Sequence, residues 1–407
     1  MTDTEVQQVV GARRFRNSTK LVENSDPVWQ AAADNGLLGI EVDPESNNRL
    51  VVPDTGHSFV NMVSCAYLGL NSHPAVLEGA IQALRDTGTT ELGTSTTRIR
   101  TALHARLEEE LGDLFGAHVL LGATCSATSA GILPLLASGH LAPGGPRVMV
   151  FDRHSHFSMN YVKAICAEEC LVLTAGHNDL DFVADACRRY GSVAYVGDGA
   201  YSMGGAAALD GLLELQNRYG LYLFLDDSHS MSIVGEHGEG FVRSRTGVHE
   251  LTTIVGSLSK GFGSGGAVAM LDSRRKAEFL ARHGGPLGWS QNMPVATVGA
   301  ALASAAIHRS AELGELQAKL WANVDYFDEL VPTPFAGNGL PVRRIDLGEG
   351  DRAVALSAEL YRRGFYSSAV FFPIVPRGEA GLRVMLRADM ARDELTEFVG
   401  HLDELTS

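Results

Sequence analysis

The sequence predicts an α/β protein: a doubly wound, mostly parallel sheet, followed by a small C-terminal α/β domain. Three observations carry that prediction. From about residue 60 onward, short apolar runs alternate with stretches of helical spacing. The runs are apolar on both faces, as strands covered by helices on each side must be. Four of the runs lead directly to residues that carry chemistry, Asp152, Asp198, Asp226 and Lys260, and such sheets gather their chemistry at the carboxyl ends of the strands.

In chain order, residues 1–60 read as an N-terminal arm with one helix, 61–290 as the large domain and 291–407 as the small domain. The expected strands of the large domain are "HVLLGA", "RVMVFD", "SVAYVGD", "LYLFLDD", "TTIVGS" and "AVAML". "TALHARLEEELGDLFG" and "LDGLLELQNRYG" between them have helical spacing, and "SQNMPVATVGAALASAAIHRS" opens a long helix. "PVRRIDLG" and "LRVMLR" are strand-like segments of the small domain.

Composition narrows the function classes. The chain has 407 residues, 45% hydrophobic and 20% charged, which is ordinary for a globular protein of more than one core. No apolar stretch approaches the roughly 20 residues needed to cross a bilayer, and the N-terminus lacks a secretion-signal pattern. A net charge of −15 argues against nucleic acid and anionic membranes as partners. Five cysteines without metal-type spacing fit a reduced, cytoplasmic setting. No metal site is expected, because the His154-x-His156 pair lacks further ligands.

The stretch "TTIVGSLSKGFGSGGAVAML" concentrates the signal. "GFGSGG" superficially matches a dinucleotide fingerprint, but here a lysine precedes the glycines and a strand follows them, whereas the fingerprint opens a helix. The glycines instead let backbone pass close to a ligand held at Lys260. Only five lysines occur in the chain, and one placed after an apolar strand among small residues is a candidate Schiff-base lysine, its amine made nucleophilic by partial desolvation. In "LYLFLDDSHS", Asp226 ends a strand and His229 follows on the turn. A carboxylate so placed can pair with a protonated pyridine nitrogen, the recurrent partner in pyridoxal phosphate sites.

Beyond these two elements the chain resembles the α-oxoamine synthase family of fold-type I pyridoxal phosphate enzymes, which includes the aminooxononanoate, aminolevulinate and serine palmitoyl synthases. Seven separated motifs carry the resemblance in order: "AYLGLNSHP", "HARLEEELGDLFG", "DRHSHFS", "DGAYSMGG", "DDSHS", "GSLSKGFG" and "VPRGEAGLRVML". The resemblance implies pyridoxal 5'-phosphate bound to Lys260, with Asp226 on the pyridine nitrogen, His229 on the phenolic oxygen and His156 stacked on the ring. It places Ser202 and Asp198 near the ring and Cys125, Ser126 and Ser257 around the phosphate, the first two at a helix start that suits an anion. Ser290 matches a hydroxyl donated by a partner subunit, which implies a homodimer with shared sites. Arg383 matches the arginine that pairs with the amino-acid carboxylate, a bidentate task.

The implied reaction joins a carbanion derived from an amino acid to an acyl thioester. The segment "GTSTTRIRTALH" departs from the family, with Arg98 and Ile99 where small residues are usual, and makes Arg98 a second candidate substrate contact. "DDSHS" and "SSAVFFP" are similar to a branch that uses S-adenosylmethionine, so elimination of methylthioadenosine and capture of the resulting vinylglycine-type species by a second small molecule is an alternative. A plain aminotransferase is the second alternative. A non-catalytic sensor is the third, disfavoured because the acidic chain offers no DNA-binding segment.

Overall fold

The computed structural model describes residues 17–46, 48–142 and 144–406. Backbone contacts divide the chain into two compact units: Leu68–Gln317, and the described residues up to Tyr67 together with those from Ala318 onward.

The unit Leu68–Gln317 is built on a seven-stranded sheet. In chain order its strands are β1 (His118–Gly122), β2 (Val148–Asp152), β3 (Leu171–Ala175), β4 (Val193–Asp198), β5 (Tyr222–Asp226), β6 (Thr252–Ser257) and β7 (Ala267–Leu271). They lie side by side as β1-β7-β6-β5-β4-β2-β3. β7 is antiparallel to both β1 and β6, and every other pairing is parallel. β2, β4, β5, β6 and β7 are buried along their whole length, which is why their sequences read as unbroken apolar runs. β3 was not among the expected strands. It is an edge strand whose Leu171 and Thr174 face solvent, so "LVLTA" lacks the two-sided apolar signature.

The helices around this sheet start where their sequences supply caps. Thr101, Thr124, Asp179 and Ser273 accept backbone N–H bonds in the first turns of Ala102–Phe115, Cys125–Ala137, Leu180–Tyr190 and Arg274–His283. Helix Val295–His308 is rich in alanine, with one glycine, and packs closely on Pro74–Thr87. A Cβ added at Gly79 would come within 2.8 Å of the Gly299 carbonyl oxygen, so the small residues set that approach.

In the other unit, helix Asn17–Asp34 is followed by strands Asp43–Ser46, Arg49–Val51 and Ser58–Asn61, the last pairing in parallel with Phe365–Tyr366. A second, antiparallel sheet has Ala380–Met385 at its centre, flanked by Val342–Gly348 and Ser368–Val370. Its core includes Ala32, Leu37, Val354 and Phe371. Arg343 is fully buried and held by two bonds to the Asp328 carboxylate, at 2.5 and 2.6 Å. Among the described residues no helix is long and apolar enough to cross a membrane. All five cysteines are free thiols, three of them half-buried and Cys166 and Cys187 fully buried.

Candidate active site

The parallel register sets the geometry of the carboxyl edge. β4 and β5 end opposite each other, pairing Asp198 with Asp226, and Asp226 in turn lies opposite Val255 of β6. Both carboxyl groups are buried. Asp226 is fixed by the next turn: the Ser228 amide and hydroxyl donate to one oxygen at 3.0 and 2.5 Å, and the Cys125 thiol lies 3.4 Å from the other. Asp198 accepts the His156 backbone N–H, while its Oδ2 is buried without a hydrogen-bond partner. Burial pushes the Asp198 carboxyl well above the carboxylate range, the Asp226 charge pushes it further, and the Lys260 ammonium opposes both. Two buried acids thus share a pocket edge with one lysine.

Lys260 stands in the loop between β6 and β7, three residues past Ser257. The Ser257–Ala267 pair closes that loop, and Leu258 N–H donates to Gly266 C=O at 3.0 Å. A tight turn brings Gly263 N–H to the Lys260 carbonyl at 3.0 Å. The glycines serve packing here. A Cβ on Gly261 would meet the Met231 carbonyl at 2.7 Å and the Ser232 Cβ at 3.1 Å, so the lysine loop lies directly on the turn that follows Asp226 and His229. The β-strand after the loop agrees with lysine presentation rather than a dinucleotide fingerprint.

Hydroxyls and a helix start line the same edge. Ser257 donates its N–H to Ser228 Oγ at 2.8 Å, and its hydroxyl bonds Ser259 at 2.7 Å. Cys125 and Ser126 open helix Cys125–Ala137, where Thr124 caps the Ala127 amide and the helix start is of a kind that suits an anion. Burial and the Asp226 charge raise the Cys125 thiol far above the ordinary thiol range, so it is a neutral group here. His229 is buried in the turn after Asp226.

His156 caps the short helix Phe157–Asn160 with its ring, and its Nδ1 lies 2.9 Å from the Ser158 hydroxyl. The turn that carries it hangs on Asp152 at the end of β2. That carboxylate accepts from the His154 and Asn178 amides at 2.7 and 2.9 Å, and bonds His177 Nδ1 at 3.2 Å and the Tyr195 hydroxyl at 3.1 Å. Burial would raise Asp152, but these donors hold it below the ordinary value. Tyr201, next to Ser202, lies 3.4 Å from the Tyr195 hydroxyl and meets His177 edge-on. His154 stacks on His177 with ring centres 4.4 Å apart.

Arg98 stands beside Trp289, the chain neighbour of Ser290, on an exposed strip. The Arg98 guanidinium lies 5.3 Å from the Trp289 ring centre, and the Ser290 hydroxyl bonds the Pro286 carbonyl. Asn292 ties the strip together by donating to the Thr94 and Ile99 carbonyls at 3.2 and 3.0 Å. Arg383 belongs to the other unit, at the centre of its antiparallel sheet between Arg344 and Ser368. It lies beside buried Tyr67, whose hydroxyl burial and Cys65 push up and Arg383 pulls down.

Asp152 was legible at the end of its strand, but Ser228, Asp227 and the partners of Asp152, His177 and Tyr195, were not. Ser228 was within reach, because a serine two residues after a strand-end aspartate readily bonds back to its carboxylate. Asp227 points away from Asp226, accepts the Val242 N–H at 2.8 Å, and is pushed by burial to about 7. The Asp152 set joins residues 25 and 43 positions apart, which no local pattern announces.

The pattern that describes class I and II aminotransferases matches residues 58–402. The chain belongs to that family. Within it the chain is an α-oxoamine synthase-type transferase of fold type I, dependent on pyridoxal phosphate. The 8-amino-7-oxononanoate synthase of Salmonella typhimurium is 30% identical over 88% of this chain and 94% of its own length. The serine palmitoyltransferase of Bacteriovorax stolpii is 26% identical over 95% of this chain and 90% of its own. The solved serine palmitoyltransferase of Sphingomonas wittichii shares the fold with a TM-score of 0.80 at 21% identity, covering 95% of this chain and 98% of that one. Serine palmitoyltransferase structures of the same fold carry pyridoxal phosphate. The S-adenosylmethionine alternative finds no support among these relatives.

The site fits that cofactor. Buried Asp226, fixed by Ser228, suits a protonated pyridine nitrogen, and the helix start and serine hydroxyls suit a phosphate.

Proposed function

We propose that this α-oxoamine synthase-type enzyme joins an amino-acid α-carbon to the acyl group of a thioester. The Asp198–Asp226–Lys260 edge carries this reading: a lysine amine beside two buried acids, one of them locked in place by Ser228 and Cys125. When bound, pyridoxal phosphate supplies an electron sink for the negative charge that develops at the substrate α-carbon. Lys260 holds the cofactor through its amine and moves the proton at that carbon. Asp226 holds a proton on the pyridine nitrogen, and His229 hydrogen-bonds the phenolic oxygen. His156 covers the ring face, with Asp198 and Ser202 beside it. Cys125, Ser126 and Ser257 bind the phosphate, and Arg383 binds the amino-acid carboxylate. In the reaction the α-carbon loses its proton, or its carboxylate as carbon dioxide, the acyl carbon–sulfur bond breaks as the carbon–carbon bond forms, and the sulfur leaves with a proton as the free thiol.

The site is completed in a homodimer, in which each Lys260 is served by Ser290 from the second copy. The exposure of Trp289 (54%) and Ile99 (60%) beside Ser290 supports that arrangement, because large apolar side chains gathered on one strip are covered in most assemblies.

Borohydride reduction of the holoenzyme followed by peptide mapping tests the assignment of Lys260. The adduct is expected on Lys260; an adduct on Lys163 or Lys276 would reject it. Assays with amino acids and acyl thioesters are expected to release free thiol. Exchange of amino groups with oxo acids, without thiol release, would return the chain to the aminotransferases proper.

A further inference from the structure

Helix Val295–His308 carries a buried polar device that reaches both loops of the proposed site. His308 is 1% exposed. Its Nδ1 lies 2.8 Å from the Ser304 carbonyl, one turn earlier, and its Nε2 lies 3.0 Å from the Ser232 hydroxyl. A carbonyl can only accept, so Nδ1 carries the proton and Nε2 accepts from Ser232. The same ring packs on Phe262, two residues after Lys260, with ring centres 4.4 Å apart. The Ser304 hydroxyl donates to the Phe262 carbonyl at 2.7 Å. One helix turn therefore grips the lysine loop at Phe262 and the aspartate turn at Ser232.

The Ser232 end is under constraint. Its φ is +73°, a region that residues other than glycine seldom occupy. Gln317 donates to the Ser232 and Gly235 carbonyls at 2.9 and 3.1 Å, and Ser232 N–H donates to Gly238 at 2.7 Å. These bonds hold Ser232 where its hydroxyl meets His308. Gly261 leaves just enough room for the two loops to touch.

We infer that His308 is a positioning residue: with Ser304 it locks the loop of Lys260 to the turn of Asp226 and His229, and so fixes the amine relative to the ring-binding acid. This rests on the reading of Lys260 as the cofactor lysine. His308 itself is assigned no contact with substrate or cofactor.

The test uses the full-length holoenzyme in three forms, His308→Phe, His308→Gln and Ser232→Ala. Phenylalanine keeps the ring contact with Phe262 and loses both hydrogen bonds, whereas glutamine can still accept from Ser232. Three quantities are read: the rate of pyridoxal phosphate release, the pH midpoint of its visible band on the enzyme, and the melting temperature. His308→Phe is expected to release the cofactor about tenfold faster, the scale of a lost buried hydrogen bond, and to move the midpoint. His308→Gln is expected to recover most of both effects, and Ser232→Ala to reproduce the faster release. A His308→Phe enzyme with unchanged release and midpoint overturns the inference. So does a melting temperature lowered equally in the phenylalanine and glutamine forms with both cofactor readouts unmoved. If His308→Phe does not fold, Ser232→Ala decides, and wild-type release from it overturns the inference. Failure of the underlying reading looks different: the wild-type chain then carries no cofactor on Lys260.

Discussion

Two acids buried side by side do not ionise equally: burial and the Asp226 charge push the Asp198 carboxyl well above the carboxylate range, against the pull of Lys260. The role proposed for Asp226 demands a negative charge, not only a shape. Asp226→Asn preserves the shape and removes the charge, so it is expected to retain pyridoxal phosphate and lose nearly all turnover. Turnover within about tenfold of wild type, roughly 1.4 kcal/mol of barrier, would reject that role. His308 yields a prediction in stability. Burial holds it neutral and pushes its pKa down from 6.5 to about 4. As pH falls through 6.5 the unfolded chain takes up a proton that the folded chain refuses until about 4. Its stabilising contribution is therefore complete above 6.5, declines toward 4 and is flat below. His308→Gln removes that slope. Denaturant titrations between pH 4.5 and 6.5 should show a flatter stability curve for the variant, by about 2 kcal/mol.

At the scale of elements, the lysine loop owes its position to a hairpin between two strands buried on both faces. Such strands cannot slip by one residue without turning every side chain over, so the nine residues between Ser257 and Ala267 hold one register. Gly261→Ala tests how closely the loop lies on its neighbour. The new methyl group would stand 2.7 Å from the Met231 carbonyl, and one of the two loops must yield. A loss of about 1–3 kcal/mol is expected, read as a lower melting temperature together with weaker cofactor retention. Six strands of this sheet, and the acids and lysine after them, were legible because a covered parallel sheet writes continuous apolar runs. β3 was not, since an edge strand with Thr174 and Leu171 outward has no such run. Ser232, Ser304 and His308 were not legible either: their partners lie 42 and 76 residues away, and only the folded chain brings a helix end to two loops.

At the scale of the whole molecule, the proposed dimer makes each site a shared object. Chains carrying Lys260→Ala and chains carrying Ser290→Trp should each be inactive, yet co-expressed hybrids should regain activity, because one of the two sites then holds both native residues. Sedimentation is expected to give twice the chain mass; a monomeric, fully active enzyme would remove Ser290 from the site. The five free thiols have a further consequence. Burial pushes Cys166 to about 12 and Cys170 and Cys187 to about 11, and alkylating reagents attack only the ionised form. In the closed protein burial disfavours the reactive thiolate form of these sulfurs. They become reactive whenever the helices that cover the sheet lift away, so the pace of alkylation at each one clocks the breathing of its own patch of the fold. The chain thus carries its own set of timers, readable by mass, with Cys125 timing the proposed cofactor edge and Cys187 the core beneath helix Leu180–Tyr190.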